Sequence, residues 1–149
     1  MSVDLETGRI TVEKMTDAHD CGFAINRTSV EGQMQGSLSM GLGEALFEEV
    51  KFDEQGRILN SNLAEYKIAT SLDMPSVEPI IVESHEPYGP FGAKEVGEGA
   101  IMPTIPAILN AVYNATGIRF RELPLTPERV FMALRAKQQA KGTDAADES

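Results

Sequence analysis

The longest helical pattern in the chain runs from Ser29 to Val50. Its apolar side chains recur every three or four residues, as on the buried face of a helix, at Val30, Met34, Leu38, Leu42, Leu46 and Phe47. The same stretch contains glycines that each cost about 1 kcal/mol relative to alanine inside a helix, namely Gly32, Gly36, Gly41 and Gly43. We therefore expect another backbone or a ligand to approach this helix closely and compensate for that cost.

Two shorter helices are predicted towards the end of the chain. One spans residues 105–116, where apolar residues share a face and Gly117 provides the stop. The other begins with Pro127, because proline suits the first helical position. The last residues are acidic and too poor in apolar side chains to repay ordering. We therefore predict one folded segment over residues 1–140 and a disordered acidic tail over residues 141–149.

Alternation and short apolar runs predict the strands. Residues 9–15 have the pattern of a half-buried strand that runs into a turn-rich loop over residues 16–26. Residues 48–60 predict a hairpin, because an Asp-Glu-Gln-Gly turn separates two short strands. An apolar run between prolines predicts a buried strand over residues 77–85. Strands and helices alternate irregularly, so we expect an α+β fold with helices packed on a mixed or antiparallel sheet.

Composition narrows the classes of function. With 149 residues and a net charge of −10, the chain lacks the clustered Lys and Arg that bind a phosphate backbone, so no nucleic acid partner is expected. It has no apolar run near the roughly 20 residues of a membrane-spanning helix, so we expect no membrane partner and a cytoplasmic location. The single Cys21 excludes an internal disulfide, and His19 and His85 lack metal-ligand spacing, so this chain alone is expected to form no metal site.

The first candidate site is the glycine-rich segment over residues 30–36. Its small residues let backbone N–H groups approach an anion or a polar cofactor. Gln33 lies within it, and a carboxamide that both donates and accepts hydrogen bonds suits the edge of a pterin or another heterocycle. The alternative is a small-residue helix face used for tight packing, with Gln33 merely solvated.

The second candidate site is the glycine-rich segment over residues 89–99, which contains Glu95 and Glu98. A carboxylate that such a loop holds at the mouth of a helix suits a general base, and Glu98 is the candidate. Alternatively, Glu98 lies in the first turn of the next helix and only complements the helix dipole. Lys94, next to Glu95, is compatible with an ordinary surface ion pair.

Four motifs follow one another along the chain: residues 20–26 (DCGFAIN), 30–36 (VEGQMQG), 41–46 (GLGEAL) and 92–99 (GAKEVGEG). In this order they resemble the C-terminal part of the molybdopterin-binding large subunit of the xanthine oxidase and aldehyde oxidoreductase family. The resemblance extends over residues 9–135. In detail the motifs are most similar to those of 4-hydroxybenzoyl-CoA reductases.

The resemblance implies a molybdenum held by the dithiolene of a pterin cofactor, as molybdopterin or its dinucleotide, with no protein ligand to the metal. Glu98 matches the family's glutamate base, and Gln33 matches the glutamine that hydrogen-bonds the cofactor. The amides of Val96 and Gly97 are expected near the ligands of the metal, with Lys94 in the same cofactor-binding segment. The implied enzyme oxidises, or reductively dehydroxylates, an aromatic, heterocyclic or aldehyde substrate.

The same resemblance implies partners. The rest of the large subunit would supply the remaining cofactor and substrate walls, and iron–sulfur clusters and FAD are expected on partner subunits. A chain that starts with Met and ends in an acidic tail favours a separate polypeptide from a split gene. The alternative function is a non-catalytic remnant or assembly module of that subunit. We expect the rest of the subunit to cover the apolar residues near the glycine-rich segments: Met34, Leu38, Phe91, Val96 and Ile101.

Overall fold

The structure of the chain, a computed structural model, describes the backbone of residues 1–147 and the side chains of residues 1–140. Its three α-helices are α1 (Arg27–Leu46), α2 (Thr104–Thr116) and α3 (Pro127–Asp147). A single 3₁₀ turn at Pro90–Gly92 is the other helical element of this part of the chain.

All three predicted helices are present, and local residues set their ends. Helix α1 begins after Asn26, whose side chain accepts a hydrogen bond from Ser29 N–H at 3.0 Å, so it covers residues 27–46 and not the predicted 29–50. Helix α2 ends at Gly117, whose φ of 65° lies in the left-handed region that glycine adopts without strain. Helix α3 starts with Pro127, as predicted.

The strands form two separate pairs in the described part of the chain. Strands β1 (Ser2–Val3) and β2 (Ile10–Thr11) are antiparallel, whereas β3 (Lys14–Asp20) and β4 (Ser76–Val82) are parallel. The predicted α+β class is confirmed. Parallel and antiparallel pairing both occur, but in two small sheets and not in one mixed sheet.

Three strand predictions were wrong in extent. The strand predicted as buried over residues 77–85 is β4, which ends at Val82 and alternates exposed with half-buried residues. The strand predicted over residues 9–15 is divided between β2 and β3, and β3 continues to Asp20 through residues predicted as a loop. It continues because β4, distant in sequence, pairs with it at every position. The hairpin over residues 48–60 keeps its turn but only one bridge, Phe52 with Ile58. Both of these side chains are exposed, so no packed face supports longer strands.

The buried face of α1 connects two apolar clusters. The larger one packs α1 against β3, α2 and α3 and consists of Met15, Leu38, Leu42, Ala45, Leu46, Ile108, Val112, Leu125, Val130 and Leu134. The smaller one lies beneath the second glycine-rich segment and consists of Cys21, Val30, Met34 and Ala100. Helix α1 therefore fixes that segment relative to the core.

Two further expectations concerned a disordered tail and membrane-spanning helices. The prediction of a disordered tail over residues 141–149 lies outside the residues whose side chains are described, and it stays a prediction. Among the described residues, no helix is both long and apolar enough to cross a membrane.

Candidate functional site

The segment over residues 93–99, hereafter the glycine-rich loop, is held by hydrogen bonds to other elements near both of its ends. At its start, Lys94 N–H donates to Cys21 O at 2.8 Å, beside an antiparallel bridge between Gly22 and Ala93. Near its end, the buried Ser37 hydroxyl donates to Gly97 O at 3.2 Å. The loop is thus held between the end of β3 and helix α1.

Glu95 organises the second half of the glycine-rich loop. Its Oε1 accepts the main-chain N–H of Glu98 at 2.6 Å and that of Gly99 at 3.3 Å. These hydrogen bonds, that of Glu98 first, lower the pKa of the Glu95 carboxyl from its ordinary value. His19 Nε2 lies 3.0 Å from Glu95 O, and a Cβ at Gly99 would lie 2.6 Å from the His19 ring. Only glycine fits this position without a shift.

Glu98 lies on this fixed backbone with its side chain exposed. Its carbonyl accepts Ile101 N–H at 3.0 Å, and helix α2 begins only at Thr104, with no acidic residue in its first turn. The alternative in which Glu98 complements the dipole of the next helix is therefore wrong. Among the described residues, none donates a hydrogen bond to the Glu98 carboxylate and none forms an ion pair with it.

Gln33, Lys94 and Val96 line one open cleft between α1 and the glycine-rich loop, with a volume of about 300 Å³. Gly97 and Glu98 follow on the same loop but do not line this cleft. The structure thus brings together three of the five predicted site residues and leaves the other two next to them in the chain. The other residues that line the cleft are Cys21, Phe23, Ile25, Asn26, Ser29, Val30 and Ala93.

The α1 face beside the cleft is open. Gln33 is exposed, and a Cβ at Gly32 or Gly36 would meet no atom within 4 Å among the described residues. Tight packing within the chain is therefore excluded for Gly32 and Gly36, whereas the exposed Gln33 is also compatible with the alternative in which this side chain is solvated. The two glycines leave space for an external group beside Gln33.

Lys94 pairs with Asp20, not with its neighbour Glu95 as the surface-pair interpretation assumed. Its Nζ lies 2.7 Å from Asp20 Oδ2, while Asp20 Oδ1 accepts from the Ser84 hydroxyl and from Gly22 N–H, both at 3.0 Å. The hydrogen bond from Lys94, together with the other two, holds the pKa of Asp20 well below its usual range, and the pKa of Lys94 is raised in return.

Sequence reasoning missed the residues that support the site. Asp20 belongs to the first motif and Ser37 follows the second, but neither was assigned a contact with the glycine-rich loop. The available signal for Ser37 was a hydroxyl three positions after Met34, on the apolar face of the predicted helix. Among the described residues, no group of three or more His, Cys, Asp or Glu side chains could hold a metal ion.

Known proteins resemble the chain over most of its length. A family model described as a molybdopterin cofactor-binding domain matches residues 1–75. The xanthine dehydrogenase molybdenum-binding subunit of Escherichia coli O157:H7 is 41% identical over 132 residues, which are 88% of this chain and 18% of that protein. A nicotinate dehydrogenase subunit of Pseudomonas putida is 37% identical over 146 residues, 97% of this chain and 12% of that protein.

Solved structures of related enzymes are also similar to this chain. Quinoline 2-oxidoreductase from Pseudomonas putida 86 superposes with a TM-score of 0.84 and 32% identity, over 89% of this chain and 17% of that one. The aldehyde oxidoreductase from Desulfovibrio desulfuricans gives a TM-score of 0.80 and 39% identity, over 88% and 14%. The chain therefore spans less than a fifth of the length of each of these proteins.

Proposed function

Because this chain belongs to the molybdopterin cofactor-binding domain family, we propose that it forms one wall of the molybdenum site in a xanthine dehydrogenase or aldehyde oxidoreductase type of enzyme. It works there as part of a larger assembly. The supporting relatives are named for xanthine, nicotinate, quinoline and aldehydes, so the proposed substrates are aldehydes and nitrogen heterocycles.

The residues of the cleft fit a molybdopterin cofactor. Gln33 offers a donor and an acceptor beside the open faces of Gly32 and Gly36. The main-chain N–H of Val96 has no acceptor among the described residues, so it is free to donate to an oxygen or sulfur ligand of the bound group. When bound, this cofactor supplies the oxidation–reduction chemistry at an electron-poor substrate carbon.

Lys94 takes a supporting position in this proposal. Its Nζ lies 2.7 Å from Asp20 Oδ2, so the ammonium is paired with a carboxylate at the end of β3. We assign it to holding the start of the glycine-rich loop beside β3. The amides of Val96 and Gly97 then follow on a backbone that does not need to reorganise when the cofactor binds.

Glu98 is the proposed general base. The observation that carries this role is a carboxylate with no donor or cation among the described residues, on a loop whose backbone Glu95 and Ser37 hold in place. A free carboxylate on a fixed backbone can take a proton from the oxygen that attacks the substrate carbon. The neighbouring Glu95 cannot play this part, because its carboxylate already accepts two main-chain N–H groups.

The rest of the assembly is proposed from the length of the relatives. Since the chain spans 18% or less of the two aligned subunits, most of the substrate pocket must come from the rest of the large subunit. Iron–sulfur and FAD subunits are proposed to remove the electrons. An assembly module without catalysis is the second candidate function, and the activity of a Glu98 variant separates the two.

The decisive experiment replaces Glu98 by Gln in the assembled enzyme. The proposal predicts molybdenum and pterin contents near those of the wild type, with turnover lower by about 10²–10⁴-fold, the usual effect of losing a general base. Glu54→Gln is the matched control, since Glu54 is exposed and belongs neither to the loop nor to the lining of the cleft. Substantial activity in the Glu98 variant would remove Glu98 from the reaction and favour the assembly module.

A second variant tests the cofactor wall separately. Gln33→Ala is expected to lower molybdenum content or turnover, because the cofactor edge loses a partner at a cost of about 1–3 kcal/mol. Gln35→Ala is its control, since Gln35 is exposed on the same helix but does not line the cleft. Equal metal content and kinetics in both variants would place Gln33 outside the site.

A further inference from the structure

Strand β3 pairs with β4 along its whole length and has no second neighbouring strand in the described part of the chain. Glu13 O accepts from Ser76 N–H at 3.3 Å, and Cys21 N–H donates to Val82 O at 3.1 Å. Odd-numbered residues of this stretch therefore point their main-chain groups towards β4. Since these groups alternate sides along a strand, the even-numbered residues present unpaired N–H and C=O groups at an open edge.

A groove of about 390 Å³ runs between β3 and helix α2. Thr16, Asp17 and Ala18 line it from the strand, and Ala107 and Ala111 line it from the helix. The alanines leave space that longer side chains would fill. The groove is therefore open to an extended backbone beside the free edge of β3.

Asp17 lies in this groove, where the charge of His19 on the same strand offsets only part of the cost of burying its carboxyl. Its side chain is buried, with 6% of the residue exposed, and its Oδ2 is shut off from solvent without a hydrogen-bond partner among the described residues. Lys14, the lysine of strand β3, is paired with Glu78, with 2.5 Å between Nζ and Oε2. Burial raises the pKa of the Asp17 carboxyl. A buried polar group without a partner costs free energy, so a partner from outside the chain would relieve it.

We propose that the open edge of β3 and the adjoining groove bind an extended segment of the rest of the large subunit, and that this segment places a cationic or amide side chain against Asp17. The segment adds a strand to the β3–β4 sheet, and main-chain hydrogen bonds to Thr16 and Ala18 hold it there. The donor side chain gives the contact its specificity. This inference rests on the proposed function, because the rest of the large subunit is the partner.

Two observations favour this partner over a small ligand. The relatives with 41% and 37% identity are several times longer than this chain, so the rest of a large subunit is a partner with ample chain to supply an extended segment. An open strand edge also supplies a row of main-chain donors and acceptors, which a peptide backbone matches residue by residue and a small molecule does not.

The test uses Asp17→Val and Asp17→Asn in the chain, alone and co-expressed with the rest of its large subunit. Asp17→Val should raise the Tm of the chain alone by roughly 2–6 °C, because it removes a buried carboxylate whose Oδ2 has no hydrogen-bond partner among the described residues. The same variant should weaken assembly about 10- to 100-fold, because the partner's donor loses its acceptor. Asp17→Asn, which keeps one acceptor oxygen, should fall between the wild type and the valine variant in assembly.

Glu54→Gln is the control, since it removes one negative charge from an exposed side chain outside the groove. Hydrogen exchange supplies the second measurement. The amides of Thr16 and Ala18 should exchange rapidly in the chain alone and at least about tenfold more slowly in the complex.

Opposite effects of Asp17→Val on chain stability and on assembly, with slower exchange at Thr16 and Ala18, support the strand addition. Assembly of the Asp17 variants at the level of the wild type, or unchanged exchange at these amides in the complex, would overturn it. If the wild-type chain itself does not assemble with the rest of the large subunit, the proposed function fails, and this inference fails with it for that separate reason.

Discussion

At the scale of single residues, two glutamates three positions apart have different surroundings and therefore different proposed roles. Glu98 has a free carboxylate, whereas Glu95 uses its carboxylate to hold the N–H groups of Glu98 and Gly99. Sequence reasoning selected Glu98 from its motif but gave Glu95 only a surface pair with Lys94. The two roles become distinguishable once the backbone of the loop is known.

Replacing Glu95 by Gln or Ala is expected to lower kcat of the assembled enzyme by about 10- to 100-fold while leaving Glu98 in place, because a misplaced base loses its alignment. The folded-state pKa of Glu95 is lowered, so its stabilising contribution is fully present above the ordinary carboxyl pKa. That contribution is lost as the pH falls through the folded-state value.

The measurements for Glu95 are a pH profile of kcat and hydrogen exchange at Glu98 and Gly99. Faster exchange at these two amides together with a lower kcat identifies Glu95 as a positioning residue. Glu54→Gln, exposed and outside the loop, should change neither quantity. Unchanged exchange in the Glu95 variants would contradict the positioning role even if activity falls.

At the scale of elements, the glycines of α1 divide into packed and open positions. A Cβ at Gly41 would lie 2.6 Å from Thr104 Cβ and Cγ2, so α1 and α2 cross closely there. A Cβ at Gly36 would meet nothing within 4 Å. The helical pattern located α1, but only the packing of α2 distinguishes these two glycines.

We expect Gly41→Ala to destabilise the chain by about 1–3 kcal/mol through overpacking, less the gain of about 1 kcal/mol in helix propensity. Gly36→Ala should instead stabilise the chain alone by about 0.5–1 kcal/mol. Thermal unfolding of both variants tests the opposite signs. In the assembled enzyme, Gly36→Ala should lower molybdenum content, and normal content would show that no cofactor approaches this face.

At the scale of the whole molecule, the chain leaves apolar surface uncovered, but only partly where the sequence predicted it. Met34 and Leu38 are buried within the chain, whereas Phe91 is exposed. The segment between α1 and β4 carries several large exposed apolar residues, namely Val50, Phe52, Ile58, Leu59, Leu63, Ile68 and Leu72. Large apolar side chains exposed in such number within one segment favour association with another protein.

Expressed alone, the chain should therefore self-associate and bind no molybdopterin tightly, and co-expression with the rest of the large subunit should give a monodisperse complex. An obligate interface buries well over about 2,000 Å² and makes the stability of one part depend on the other. Size-exclusion chromatography with metal analysis measures both properties. A well-behaved monomer that carries stoichiometric molybdenum without any partner would contradict the proposal.

The sequence by itself determined the three helices, the turn at residues 53–56 and the four motifs, because each depends on residues close together in the chain. Helix ends at Asn26 and Gly117 follow from local hydrogen bonding and glycine geometry. What only the tertiary structure decided are pairings between distant segments. Strand β3 extends through a predicted loop because β4 pairs with it, Ser37 reaches Gly97 across 60 positions, and Asp17 is buried without a partner. No local pattern encodes these contacts, since each residue's environment is set by a segment far away in sequence.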